Sequence, residues 1–199
     1  WEDGGSGMTE LSNMVQKAPD GSYPVADKLV EMAQYYGFDG YFFNAEGFGW
    51  NSAVDELIEL MKYVHKKYPD FIWSWYNCIG GPCVNDSTAP FIAADENGIY
   101  PVDEMFCNYG AEYSVDTTVQ TMIKNGRNPY DAFIGYEMQK CGDVDTQLND
   151  HLLMGDDGRI KTSIGLFIPN TTLGRAENPA DFHVKERDLY VGFSGDPTV

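Results

Sequence analysis

Basic residues are scarce in this chain: 13 Lys and Arg stand against 31 Asp and Glu, giving a formal net charge of -18 over 199 residues. That balance opposes the phosphate neutralisation on which nucleic-acid binding depends and disfavours anionic membrane surfaces, so nucleic acid is set aside as a partner. Long apolar runs are lacking too, and none approaches the roughly 18 to 20 residues of a membrane span. Cys78, Cys83, Cys107 and Cys141 are too few and too scattered for a disulfide framework. Buried thiols are the expectation, with a Cys78–Cys83 bridge as the alternative. The three histidines, His65, His151 and His183, fall in two helices and a late loop, away from the strand ends, so neither a metal nor any other cofactor is expected. There is no G-x-S-x-G elbow, no glycine-rich phosphate loop after a strand and no lysine at a strand end. Those absences weigh against triad hydrolysis, nucleotide binding and Schiff-base chemistry.

What is plentiful is aromatic: 13 Tyr, 11 Phe and 4 Trp within a 43% hydrophobic composition. One sizeable core follows, and an acidic surface rich in rings suits carbohydrate, whose apolar faces stack on aromatics and whose hydroxyls pair with carboxylates and amides. The chain opens at Trp1 with neither an initiator Met nor a signal-like segment, and reads as a processed or partial chain. Its expected setting is extracellular or at the cell surface.

Residues 1–23 read as a long loop with one short helix. After Pro24 a pattern repeats. VADKLVEMAQYY is helical in spacing and stops at Gly37, and the strand YFFNAE follows. VDELIELMKYVHKKYPD is an amphipathic helix ended by Pro69, followed by the strand FIWSWYN. An irregular stretch over 77–101 leads to the strand EMFCNY, a helix over SVDTTVQTMIKNG, the strand AFIGYEM, a helix around DTQLNDHLLMGDDG and the strand SIGLFIPN. Such alternation predicts an α/β fold with a parallel sheet. Its units of near 30 residues predict a (β/α)8 TIM barrel of which this chain, as one partial catalytic domain over 1–199, supplies about the last five β/α units. The first strands would come from a longer chain. An open doubly wound sheet is the alternative.

In GFDGYFFNAEG, residues at i and i+2 on a strand share a face, so Asn44 and Glu46 lie together with Phe42 before them, while Tyr41 and Phe43 point the other way. Both faces are apolar at mid-strand, which predicts a strand covered on both sides. Parallel sheets place their chemistry at the carboxyl ends of strands, where this pair falls. Successive strands would bring Tyr76, Asn77, Asn108, Tyr109, Glu137, Gln139 and Asn170 to the same mouth. Amides, phenols and acids without a metal point to acid catalysis by carboxylates, and glycosyl transfer is the chemistry that uses it most naturally.

GFDGYFFNAEG, FIWSWYN, MFCNY, AFIGYEMQKCG, SIGLFIPN and the closing YVGFSGDPT resemble, in order, the blocks of glycoside hydrolase family 85, the endo-β-N-acetylglucosaminidases that cut the chitobiose core of N-glycans. The resemblance implies an N-glycan or glycoprotein substrate and a retaining mechanism in which the substrate's own 2-acetamido oxygen attacks the anomeric carbon. Glu46 would be general acid and then base, Asn44 would orient the acetamido group, and Tyr76, Asn108, Tyr109, Glu137 and Asn170 would contact substrate. The chain departs from the family's usual pattern in three places: Trp75, Tyr76 and Asn77 stand where W-Y-D is usual, Thr171 and Thr172 follow Asn170 where an aromatic is common, and Glu137 replaces a more frequent Asp.

Family 18 chitinase-like glycosidases are the nearest alternative, since D-G-x-D-x-D-x-E overlays Asp39 to Glu46, but two of its acids would become Phe42 and Asn44. A degenerate barrel that binds carbohydrate without cleaving it is the alternative from another class.

Overall fold

A computed structural model of the chain describes residues 7–44, 53–77, 84–138, 150–168 and 170–190. Five strands, β1 (Gly40–Asn44), β2 (Ile72–Asn77), β3 (Glu104–Cys107), β4 (Ala132–Glu137) and β5 (Ser163–Phe167), form one parallel sheet in the order β1-β2-β3-β4-β5. Each strand lies beside its predecessor. A doubly wound sheet would reverse direction at a switch point, and none occurs among the described strands, so the chain is α/β and forms an arc of a (β/α) barrel.

The register decides which residues share a face. Tyr41 pairs with Trp73, Phe43 with Trp75, Trp75 with Met105, and Cys107 with Ile134. This set is the helix-facing side and holds the core, including Phe43, Trp73, Trp75, Met105 and Ile134. Phe43 stacks on Trp75 at 4.9 Å and Trp75 on Phe91 at 4.2 Å. Each fully buried ring contributes roughly 1.5–3 kcal/mol through the water it sheds. The alternate residues, Phe42, Ser74, Tyr76, Phe106, Gly135 and Phe167, form the opposite face. That face is open rather than covered, with Phe42 51% exposed, because no described strand closes the arc across it. Its hydrophobic residues belong to a barrel interior, which explains why β1 reads as apolar on both sides.

The helices are α1 (Gly7–Met14), α2 (Pro24–Tyr36), α3 (Val54–Lys67), α4 (Ala89–Ile92), α5 (Val115–Lys124), α6 (Asp150–Leu153), α7 (Thr171–Arg175) and α8 (Pro179–Tyr190). Proline at the first position of α2 lacks only an N–H that would be unpaired there. Gly37, at φ 77°, ends the helix by bonding back to Ala33 and Gln34. Ala26, Val30 and Ala33 face the sheet from α2, and Leu57, Leu60, Met61 and Val64 from α3. The two helices are tied by Asp27, whose carboxylate accepts from Tyr63 Oη at 2.9 Å and Lys67 Nζ at 2.8 Å. Partial burial opposes the charge on Asp27, but bonds from Lys67, Tyr63 and Tyr68 outweigh it and hold its carboxyl below the usual range.

Three expectations change. His183 is not in a loop but in α8, a helix whose apolar residues follow no helical period and so leave no stripe to read. Its start is nevertheless written locally: Asn178 Oδ1 accepts from Asp181 N at 3.0 Å, and the Asp181 carboxylate accepts from Glu177 N, one residue before Asn178, at 2.8 Å, a variant of the capping box. The irregular 77–101 stretch contains α4. The helix around 145–158 is described only as the single turn α6, after which Met154 pairs with Ile160 in an isolated antiparallel bridge.

The amino ends of the strands are knotted by polar side chains. Asp103 accepts from Trp73 N at 2.8 Å and meets His65 Nε2 at 3.0 Å, while His65 Nδ1 lies 2.6 Å from the Tyr100 carbonyl. Arg127 donates to the carbonyls of Val102 and Asp103 and lies over the Tyr100 ring at 4.6 Å. Cys107 is buried with its thiol 4.0 Å from the Met105 carbonyl, and the other three cysteines lie outside the described residues.

Candidate active site

Asn44 ends β1 on the open face and stands abreast of Tyr76 on β2. Strand alternation alone puts both there. Tyr76 is only 5% exposed: its ring lies 6.2 Å from Phe42 and 5.8 Å from Phe106, and its hydroxyl donates to Asn108 Oδ1 at 2.7 Å. The same oxygen accepts the Tyr109 N–H at 2.7 Å. The chain then turns through Gly110, at φ 88°, into the 3₁₀ turn Ala111–Ser114, with Ala111 N bonded to the Asn108 carbonyl at 3.2 Å. Asn108 thereby joins the side chain of one strand end to the backbone of the next.

The contacts continue to the far edge. Tyr109 meets the Phe167 ring at 6.0 Å, and Phe167 is the register partner of Glu137. Asn44, Tyr76, Asn108, Tyr109, Phe167 and Glu137 thus span the carboxyl ends of all five strands. Asn170 stands apart from them: it is exposed, three residues past β5, and its carbonyl accepts from Leu173 N at 3.0 Å at the head of α7. Glu46 and Gln139 lie outside the described residues, and Asn77 is the last residue of β2.

Sequence reasoning did not find the aromatic floor beneath this row. Phe106 lies across the sheet in a slot made by two glycines that are register partners, Gly135 and Gly165. A Cβ on Gly165 would fall 2.3 Å from Phe106 Cε2, and one on Gly135 would fall 2.6 Å from Phe106 Cε1. The signal was present, a glycine in the middle of AFIGYE and another in SIGLF, but only the register shows that they are neighbours. Beyond β5, Ile168 is held at φ 58°, a left-handed conformation that a β-branched residue adopts only under constraint. Its carbonyl accepts from both the N–H of Thr171, at 3.3 Å, and its Oγ1, at 3.0 Å.

The resulting surface combines exposed ring edges, Phe42 and Phe167 at about half exposure, with amides, phenols and one carboxylate. None of the strand-end side chains in this row is cationic, so an anionic substrate finds no counter-charge there. Uncharged hydroxyl-rich rings do find stacking faces and hydrogen-bond partners. Among the described residues no cluster of His, Cys, Asp and Glu could hold a metal ion, and no helix is long and apolar enough to cross a membrane.

The sequence profile of Glycosyl hydrolase family 85 matches residues 1–198. Among solved structures, the glycoside hydrolase domain of Endo-D from Streptococcus pneumoniae R6 superposes with a TM-score of 0.88 at 28% identity. The match covers 98% of this chain and 33% of that one, so the chain spans about a third of that relative's length. No curated protein matches the chain.

Proposed function

The chain belongs to glycosyl hydrolase family 85, and from that premise we propose that it carries the reaction centre of an endo-β-N-acetylglucosaminidase cleaving the GlcNAc-β1,4-GlcNAc core of N-glycans. The observation that carries this reading is the position of Asn44: at the carboxyl end of β1, on the open face, beside Tyr76, with a glutamate two residues on.

The division of labour follows from the chemistry of the two side chains. An amide both donates and accepts hydrogen bonds without charge, so Asn44 can hold the substrate's acetamido group with its oxygen aimed at the anomeric carbon. As that oxygen attacks, protonated Glu46 gives its proton to the departing GlcNAc oxygen, and an oxazolinium forms on the sugar. Glu46, now a carboxylate, takes a proton from water as the water opens the ring, and two inversions restore the β configuration. No second carboxylate nucleophile is required. Tyr76, held by Asn108, and the ring of Tyr109 flank the reacting sugar, and Glu137 and Asn170 meet it further out.

Glu46→Gln in the full-length protein keeps the shape and removes the transferable proton. Release of glycan from a glycoprotein should fall by about 10²- to 10⁴-fold, while affinity for the glycan is kept. Near-normal release would put the acid elsewhere.

A further inference from the structure

On the open face of β4 and β5, the layer just below the strand ends is already filled. Phe106 occupies the slot left by Gly135 and Gly165, where a Cβ on either glycine would run into its ring. Two residues further along the same strands, and so on the same face, stand Glu137 and Phe167, register partners at the last positions of β4 and β5. A step of two residues is roughly 6.5–7 Å toward the carboxyl end, which puts the Phe167 ring above a floor that leaves it no hole to fill. The ring is 48% exposed. It meets the Tyr109 ring at 6.0 Å and 43° between planes, a contact that sets it in the strand-end row. The chain leaves the strand immediately afterwards, at Ile168 with φ 58°. A further strand beyond β5 would stand beside this ring rather than over it, because neighbouring strands lie side by side, about 4.8 Å apart, and their inner side chains point the same way.

We propose that Phe167 is a specificity residue: its ring stacks on the apolar face of a neutral sugar of the bound glycan, and the Glu137 carboxylate abreast of it accepts a hydroxyl hydrogen from that sugar. The proposal rests on the reading of the site as glycan-binding and adds a residue which that reading does not use. A stacked face carries no charge that changes during the reaction, so substrate and transition state are held alike and the contact shows in KM rather than kcat.

The test compares Phe167→Leu with Phe167→Tyr in the full-length protein. Leucine keeps an apolar side chain and removes the ring face, whereas tyrosine keeps the ring. Melting temperatures of both should stay within about 3 °C of the parent, as for substitutions at exposed positions. Phe167→Leu should raise the KM for glycoprotein about fivefold with kcat within about twofold, and should weaken calorimetric affinity for the N-glycan core pentasaccharide equally, the size of one lost ring stack. Phe167→Tyr should stay within about twofold of the parent in both. Equal losses in the two variants would overturn the proposal, as would a leucine variant that melts far below the parent, which would assign the ring to holding the fold. Glycan binding that weakens in Phe167→Leu, in a parent that does not cleave, would remove the hydrolase reading alone. Cleavage with unaltered KM and affinity in Phe167→Leu would remove this inference alone, and a parent protein that neither binds nor cleaves would remove both.

Discussion

The Tyr76 hydroxyl and the Asn108 amide oxygen stand 2.7 Å apart across two strand ends, and the same oxygen also receives the Tyr109 N–H. Tyr76→Phe removes one of the two donors and leaves the fold's apolar contacts in place. A net hydrogen bond is worth about 1 kcal/mol, so the melting temperature should drop by roughly 2–4 °C. Glycan turnover should fall further than that stability loss explains, because Asn108 is freed to rotate at the mouth. Unchanged melting together with unchanged turnover would mean that the bond has no role. At this scale the sequence was partly legible. The facing of Asn44 and Tyr76 follows from a period of two along one strand, information that each segment carries by itself. The burial of Tyr76 does not, since the rings that cover it, Phe42 and Phe106, come from β1 and β3.

Helices and strands that show an apolar period could be placed to within a few residues, and α8 could not, because its apolar residues are scattered among polar ones at no helical period. The sheet's inner surface is a property of elements in register. Gly165 and Gly135 matter jointly, as the slot for a ring that belongs to β3. Gly165→Val should force the Phe106 ring from its place and destabilise the protein by about 1–3 kcal/mol, the usual penalty for overfilling a packed site. Gly174→Ala in α7 is the control, since a Cβ there meets nothing within 4 Å and alanine is the better helix former. Thermal melting of the two variants checks both; equal stability for the pair would contradict the slot.

For the molecule as a whole, the knot at the amino ends of the strands sets a pH window. Burial opposes charge on His65, but its bonds to Asp103 and the Tyr100 carbonyl raise its pKa overall. Asp103 is likewise opposed by burial, and is lowered overall by His65 and the Trp73 N–H. A raised histidine stabilises fully below its unfolded value, about 6.5, and loses that contribution as pH rises through its folded value. A lowered aspartate stabilises above its unfolded value, about 3.9, and loses it as pH falls through its folded value. The pair therefore contributes most between roughly pH 4 and 6.5. His65→Gln should flatten the alkaline side of the melting-temperature profile, and a parallel shift at all pH values would dissociate His65 from it. The opposite end of the same sheet carries the central claim, that Asn44 positions a nucleophile belonging to the substrate. Asn44→Ala should cripple cleavage of intact N-glycan yet do much less harm when a preformed glycan oxazoline is supplied, since Glu46 can still act as base toward water. The deciding measurement compares the variant with the parent full-length protein on both donors. A loss on intact glycan at least about tenfold greater than that on oxazoline is the predicted result, and equal losses on both would contradict the role given to Asn44.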